Sequence, residues 1–318
     1  ITGLPDNLIQ NNLLDGAFDP FLAASNYAVL NTVSENYARE LRETDDDALT
    51  GWLGHRLITR GLQLEGITNG FNPEDFDTTR PEQLGLPAGF DSGTGDLEGK
   101  KTCKQKLLES LSQESPENLS RYGNLANEPQ KPLFTLIGRL TPQKGVDILV
   151  PALETLLQSD SEFRMLILGS GTKDHEQELI NLAQDEKNDG QICLLLGYDP
   201  LLANRIYAAG DFFLIPSRYE PCGLTDYIAQ LAGNLPIVHH VGGLLKVEDE
   251  VNGFTFTEYT AEALMAAINK ALKVFRKSPE QIHKMQKTAV NLVEKKFTWD
   301  QVVLRYLALY KKALEMLP

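Results

Sequence analysis

Apolar and polar positions follow two alternating periods from Leu133 onward. Short apolar runs of strand length are separated by longer segments in which apolar residues recur at three- and four-residue spacing. Strands of a parallel sheet are buried on both faces and appear as nearly continuous apolar runs, whereas the longer period is typical of crossover helices. We therefore predict a doubly wound, Rossmann-like parallel α/β sheet whose strands are LFTLIGRL, FRMLILGSG, QICLLLGY, DFFLIPS and LPIVHHV.

The segments on either side of this pattern are interpreted separately. Before Leu133 only two strand candidates occur, YAVLNTVS and LEGITNG, with the helix ENYARELRE between them, and two strands are too few for an independent sheet of this class. After the predicted sheet, three helices begin near Glu262, Pro279 and Trp299. We expect residues 1–70 to be the end of another Rossmann-like domain, 71–132 a hinge and connector with an inserted helix, 133–296 the main domain, and 297–318 a closing helix that crosses back.

Composition and charge restrict the function classes. The chain has 318 residues, 42% of them apolar, and a net charge of −14, which disfavours binding to nucleic acids and anionic membranes. Its three cysteines, Cys103, Cys193 and Cys222, form no CxxC pair, so a reducing cytoplasm is expected. No apolar run reaches the roughly 18 residues needed to span a bilayer, and the start ITGLPDN has no initiator Met, so a fragment is expected.

The segment GRLTPQKG is the first candidate phosphate site. Gly138 ends a predicted strand, Arg139 and Lys144 follow it, and Gly145 opens a helix. An Arg side chain offers a planar fork to phosphate oxygens, and a Lys side chain acts as a point charge. Two cations at one strand end of an acidic protein predict an anion site, although they could also be surface residues at a turn.

The segment LGSGTKD is a second candidate, because Gly169 and Gly171 are typical of the start of a dinucleotide fingerprint. The third glycine is missing, and no acidic residue stands at a strand end about twenty residues later. A nicotinamide-binding enzyme is therefore only a weak alternative.

The segment SRYEPCGLT is the third candidate. Glu220 stands between a predicted strand and a predicted helix, and Gly223, Leu224 and Thr225 begin that helix with amide donors. One carboxylate cannot bind a diphosphate, but it can accept hydrogen bonds from the hydroxyls of a sugar. Together with the cations of the first candidate, these residues predict a site for a sugar attached to a diphosphate.

Three other features are interpreted as structural and not as functional. Cys222 is expected to be a neutral packing contact, although a reactive thiol at a helix start is the alternative. The neighbours His239 and His240 point to opposite faces of a strand, so we interpret them as strand-end residues and predict no metal site. The run TDDDALTGWLG is expected to be a solvated acidic loop.

Several segments resemble the glycogen and starch synthases, which are retaining glucosyltransferases of the two-domain GT-B type. They are GRLTPQKGVD, LGYDPLLANRIYAAGDFFLIPSRYEPCGLT, ITNGFNPEDFDTTRPE and FTWDQVVLRYLALYKKAL. The resemblance implies transfer of glucose from a nucleotide-glucose, ADP-glucose in the first place, to the non-reducing end of an α-1,4-glucan, with no cofactor. It leaves open whether the base is adenine or uracil and how many subunits assemble.

The resemblance also implies roles for individual residues. Arg139 and Lys144 would neutralise the diphosphate, and Glu220 would hold the glucose hydroxyls. Ser217 would support the loop, and Tyr198 would stack near the base. The remaining donor contacts implied by the resemblance are Asn69 at the hinge, Gln143, Cys222, and the amides of Gly223, Leu224 and Thr225.

The chain departs from this family in two places. The Lys-x-Gly-Gly loop that begins such synthases is absent from the sequence, so the chain alone is expected to be inactive. In the segment HHVGGLLKVED, Val241 stands where the family has Thr, and Lys246 replaces an acid. The altered segment motivates a rival interpretation, a non-catalytic module that binds nucleotide sugars or regulates another protein.

Overall fold

The computed structural model describes residues 3–113, 118–160 and 162–315. Residues 3–70 form short helices and two sheets of two strands each. Strands β1 and β2 pair antiparallel, and β3 and β4 pair parallel. The strand candidates β3 and β4 and helix α3 were predicted, whereas the hairpin and the other short helices were not. The bounds are α1 Asp6–Asn11, β1 Leu13–Leu14, β2 Ala17–Phe18, α2 Pro20–Ala24, β3 Asn31–Thr32, α3 Glu35–Glu43, α4 Leu53–Thr59 and β4 Glu65–Gly66.

The expectation of a solvated acidic loop is wrong at Asp47. This residue lies in a 3-10 helix, Asp45–Thr50, and its side chain is fully buried. It accepts hydrogen bonds from the amides of Gly54 at 3.0 Å and His55 at 2.8 Å, and from the hydroxyl of Thr50 at 2.6 Å. Burial alone would raise the pKa of Asp47, but these hydrogen bonds outweigh it and lower the pKa, so the buried group is a carboxylate at pH 7.

The connector holds more structure than the sequence predicted. Its predicted inserted helix is α6, Glu98–Gln113, and it is preceded by a 3-10 helix, Pro73–Phe76, and by α5, Pro81–Leu84. A strand that was not predicted, β5, Ser120–Gly123, then joins the edge of the large sheet. The strand is short and only half-buried, which explains why its sequence does not show a strand pattern.

The large sheet has seven strands in the order β11-β10-β9-β6-β7-β8-β5, and all neighbours are parallel except β5 with β8. This confirms the predicted doubly wound parallel sheet. The chain order reverses between β6 and β9, which makes a crevice at their carboxyl ends. The elements are β6 Leu133–Leu140, α7 Val146–Ser159, β7 Arg164–Gly171, α8 Lys173–Gln184, β8 Ile192–Leu196, α9 Pro200–Ala209, β9 Phe212–Ile215, α10 Thr225–Leu231, β10 Leu235–His239 and β11 Phe254–Phe256.

Helices cover both faces of the sheet and bury its apolar strands. On one face Phe134 of β6 and Phe212 of β9 stack with ring centroids 4.9 Å apart, under α7 and the later helix α11, Ala261–Lys277. On the other face Phe213 of β9 packs against Tyr207, in a cluster that also includes Tyr227. The central strands are therefore held rigidly beside the crevice that follows them.

The three closing helices begin where the sequence predicted. They are α11 Ala261–Lys277, α12 Pro279–Lys296 and α13 Trp299–Glu315. Helix α13 contacts the amino-terminal part, where Val302 and Leu309 pack with Ile67, and Arg305 donates to the carbonyl of Gly66 at 2.8 Å. The domain boundaries themselves stay a prediction. None of the helices in the described residues combines the length and apolarity that a membrane span requires.

Lys100 fixes the inserted helix to the sheet domain. Its buried ammonium donates to the carbonyl oxygens of Ala208 at 2.9 Å, Gly210 at 2.7 Å and Ala232 at 2.8 Å. Burial lowers the pKa of Lys100 to about 8, so the side chain is still charged at pH 7. The Lys100 side chain thus donates hydrogen bonds to carbonyl groups at the carboxyl-terminal ends of α9 and α10.

We expect Lys100→Met to lower the free energy of unfolding by about 2 kcal/mol, because three buried carbonyl oxygens lose a charged donor. Urea titration measures the change. Lys101→Met is the matched control, since Lys101 is exposed and contacts Glu98 on its own helix. Equal stability of the two variants would contradict this assignment.

Candidate functional site

The loops after β6 and β9 lie side by side at the crevice where the sheet order reverses. Gly145 ends a 3-10 helix, Pro142–Lys144, with a φ of +81°, and a Cβ atom there would be 2.0 Å from the carbonyl oxygen of Pro216. The amide of Arg218 donates to the carbonyl of Gln143 at 3.0 Å. The two loops therefore pack backbone against backbone, and glycine is required at this contact.

Lys144 and Glu220 form an ion pair across this crevice. The ammonium nitrogen of Lys144 lies 2.5 Å from Oε2 of Glu220, and the hydroxyl of Ser217 donates to the same oxygen at 3.1 Å. The Glu220 side chain is 12% exposed and that of Lys144 is 27% exposed, so both can be reached from solvent. A ligand with an anionic group and hydroxyls could bind both partners of the pair.

Arg139 stands at the end of β6 on the same side of the sheet. The residue is exposed, and its guanidinium donates to Oε1 of Gln143 at 3.2 Å. The structure therefore places Arg139, at the end of β6, and Gln143 and Lys144, after β6, beside Ser217 and Glu220 after β9. Their roles in binding stay a prediction.

Cys222 lies buried in the turn that follows Glu220. The backbone amide of Asn69 donates to its thiol, which places the hinge segment against the turn. Burial raises the pKa of the Cys222 thiol, although the nearby Lys246 and the amide of Asn69 lower it. The group is a neutral thiol at pH 7, which favours the interpretation as a packing contact over that of a reactive nucleophile.

Two glycines press against the turn from the segment after β10. A Cβ at Gly242 would lie 2.0 Å from the carbonyl oxygen of Glu220, and one at Gly243 would lie 1.9 Å from that of Cys222. The amide of Gly243 also donates to the Glu220 carbonyl at 2.8 Å. The Gly-Gly pair is therefore needed to hold the backbone around Glu220.

Tyr198 is a predicted site residue with a largely exposed side chain. It follows β8, and its side chain is 75% exposed. It stands at the carboxyl end of the sheet with the other predicted residues, but no contact in the described part of the chain links it to Glu220. Its role beside a base stays a prediction.

His239 connects two strand ends. Nδ1 of the ring lies 2.9 Å from the carbonyl oxygen of Ser217, and Nε2 lies 3.1 Å from that of Thr257. The ring is buried against Phe256 and Tyr259. These contacts agree with the interpretation of His239 as a strand-end residue.

The glycines of LGSGTKD have a structural explanation. A Cβ at Gly169 would lie 1.9 Å from the carbonyl oxygen of Gly138, and one at Gly171 would lie 1.8 Å from that of Leu140. Both glycines lie in β7, the second strand of the domain, whereas a dinucleotide fingerprint follows the first strand. The pair allows β6 and β7 to pair closely and gives no support to a nicotinamide site.

Comparison with known proteins identifies the family. Residues 123–289 match the family described as glycosyl transferases group 1, which is more than half of the chain. The chain belongs to the group 1 glycosyl transferases.

The relatives of this group 1 glycosyl transferase include bacterial glycogen synthases. It is 36% identical to the glycogen synthase of Anaeromyxobacter dehalogenans over 89% of this chain and 55% of that protein. It is also 36% identical to the glycogen synthase of Myxococcus xanthus, over 88% of this chain and 54% of that protein. The chain thus spans about half the length of these relatives.

Solved structures agree with the fold. The catalytic domain of starch synthase IV from Arabidopsis thaliana, bound to ADP and acarbose, superposes with a TM-score of 0.80 at 28% identity, over 98% of this chain and 62% of that one. HepE from Anabaena, in complex with UDP, gives a TM-score of 0.60 at 18% identity, over 92% of this chain and 67% of that one, and supports the fold alone. The sheet is therefore that of a GT-B glycosyltransferase.

The sequence did not predict that α3 contacts the site of this glycosyl transferase. Oε1 of Glu40 accepts a hydrogen bond from the amide of Gly242 at 2.8 Å, and the hydroxyls of Tyr37 and Tyr219 are in contact. Burial raises the pKa of Glu40, and hydrogen bonds from Gly242 and Asn36 lower it in part. The partners lie about two hundred residues apart in the chain, so no local spacing could have indicated them.

Proposed function

We propose that this chain contributes the donor side of an α-glucan synthase. The proposed reaction transfers glucose from a nucleotide-glucose, ADP-glucose in the first place, to the non-reducing end of an α-1,4-glucan with retention of the α configuration. The observation that supports it most is the Lys144–Glu220 pair at the reversal of the sheet, in a chain related to glycogen synthases. The ADP-bound starch synthase of similar fold supports the choice of nucleotide.

The proposed roles follow from charge. Cleavage of the anomeric bond leaves negative charge on the diphosphate, and fixed cations directed at that charge lower the barrier. Arg139 and Lys144 would provide those cations. Glu220 would accept hydrogen bonds from the glucose hydroxyls, and since it is paired with Lys144, the sugar would lie beside the phosphates.

Binding of the donor would have to rearrange the ion pair. In the structure Lys144 and Ser217 both point to Oε2 of Glu220. A phosphate that contacts Lys144 would neutralise its ammonium in place of Glu220. The sugar hydroxyls would donate to the Glu220 carboxylate in place of Lys144. Lys144 and Glu220 would thus each gain a contact with the donor when they lose their contact with each other, so neither charge is left without a partner.

Calorimetric titration with ADP, UDP and their glucose conjugates tests donor binding, and incorporation of labelled glucose into glycogen by the full-length protein tests transfer. We expect ADP-glucose to bind and its glucose to be incorporated. Binding without incorporation would favour the rival, a non-catalytic nucleotide-sugar module. No binding of either nucleotide would contradict both.

A further inference from the structure

Lys246 lies directly beneath the turn that follows Glu220. It ends a 3-10 helix, Gly242–Lys246, and its side chain is only 6% exposed. The ammonium donates to the carbonyl oxygens of Cys222 at 2.8 Å and Gly223 at 2.5 Å. A single buried cation thus binds two successive carbonyls of the turn.

These contacts fix the direction of two amide groups. The peptide bonds of the turn are trans, and in a trans peptide the C=O and the N–H point in opposite directions. Because the carbonyls of Cys222 and Gly223 point toward Lys246, the amides of Gly223 and Leu224 point away from it. Neither amide donates a hydrogen bond to any residue that the structure describes.

The cation is balanced by a buried carboxylate below the turn. Oδ1 of Asp226 lies 3.2 Å from the ammonium of Lys246, and the Asp226 side chain is fully buried. The ring of Tyr227 lies 3.8 Å from the ammonium, measured to its centroid. Burial raises the pKa of Asp226 to about 6 although Lys246 lowers it, so the carboxylate depends on this neighbour.

Glycine at position 223 is part of the same arrangement. Gly223 has a φ of +70°, and a Cβ there would lie 2.9 Å from Oδ1 of Asp226 and 2.8 Å from Leu244. A larger residue at position 223 would collide with Asp226 and Leu244, so glycine is required where the turn passes over the ion pair.

We propose that Lys246 is a positioning residue for the donor's distal phosphate. It directs the amides of Gly223 and Leu224 toward that phosphate and places a positive charge behind them. The inference rests on the proposed function, which supplies the diphosphate, and it gives a role to the residue that replaces an acid at this position.

The test compares a diphosphate with a monophosphate in the full-length protein. Lys246→Met should raise the dissociation constant of ADP about tenfold, because both the amide direction and the charge are lost. The dissociation constant of AMP, which lacks the distal phosphate, should change less than about threefold. Lys270→Met is the control, since it removes a surface ammonium paired with Asp249 and Glu250.

A second variant separates positioning from stability. Lys246→Met leaves Asp226 buried without its cation, so that variant alone is expected to melt at a lower temperature. The double variant Asp226→Asn with Lys246→Met removes both charges and should recover stability while keeping the loss of ADP over AMP selectivity.

Recovery of ADP selectivity in the double variant would overturn the proposal, as would equal weakening of ADP and AMP. In either case Lys246 would only stabilise the fold. Failure of the wild-type protein to bind ADP would instead contradict the proposed function, so the two failures can be told apart.

Discussion

Glu220→Gln is expected to reduce glucosyl transfer by about a hundredfold to a thousandfold, while ADP binds as well as before or slightly more tightly. The carboxylate that would hold the glucose hydroxyls is lost, but Lys144 is released from its ion pair and remains available to the phosphates. Labelled-glucose incorporation and calorimetry with ADP measure the two effects separately. The expected result is thus a loss of glucosyl transfer without a loss of ADP affinity.

Glu262→Gln is the control, because Glu262 is an exposed carboxylate in the first turn of α11. It should change neither transfer nor binding. If Glu220→Gln weakened ADP and ADP-glucose equally, Glu220 would serve to hold the loop, through Lys144 and Ser217, and not to hold the sugar.

Lys144→Met is expected to weaken ADP binding by about 2 to 3 kcal/mol, a factor of about 30 to 150. The phosphate loses a charged donor, and Glu220 is left without its cation and repels the ligand. Calorimetry with ADP and with adenosine measures the change, and adenosine should bind unchanged. Arg139→Met is the comparison for the loss of a cation that leaves no carboxylate unpaired, because Arg139 is exposed and contacts a neutral amide, that of Gln143.

The double variant Lys144→Met with Glu220→Gln tests whether the two residues act together. Its loss of ADP affinity should be smaller than that of Lys144→Met alone, since the repelling carboxylate is gone. A loss as large as that of Lys144→Met alone would show that the carboxylate of Glu220 does not act on the phosphate, and it would contradict the exchange of partners proposed above.

The sequence predicted the central strands well for a physical reason. Strands β6 to β10 lie in the interior of the sheet and are covered by helices on both faces, so their residues are almost uniformly apolar. The edge strand β5 is only half-buried, and β1 and β2 have two residues each, so none of these three follows a strand period clearly.

The candidate site was predicted only in part. Residues at or after strand ends, such as Arg139 and Glu220, could be proposed from the sequence because parallel strands end at one edge of the sheet. Residues whose partners lie far away in the sequence could not be predicted in this way. Glu40 contacts the Gly-Gly segment from another part of the chain, and Lys246 was recognised as unusual, but its pairing with Asp226 depends on the turn geometry.

The position of α13 has a consequence for synthesis of the protein on the ribosome. Ile67 is translated before Val302 and Leu309, with which it packs, and these two residues emerge only after the whole sheet domain. At the usual rate of about 5 to 20 residues per second, the amino-terminal part waits for on the order of ten to fifty seconds before this cluster can form. During that time Ile67 lacks these two partners and stays accessible to chaperones.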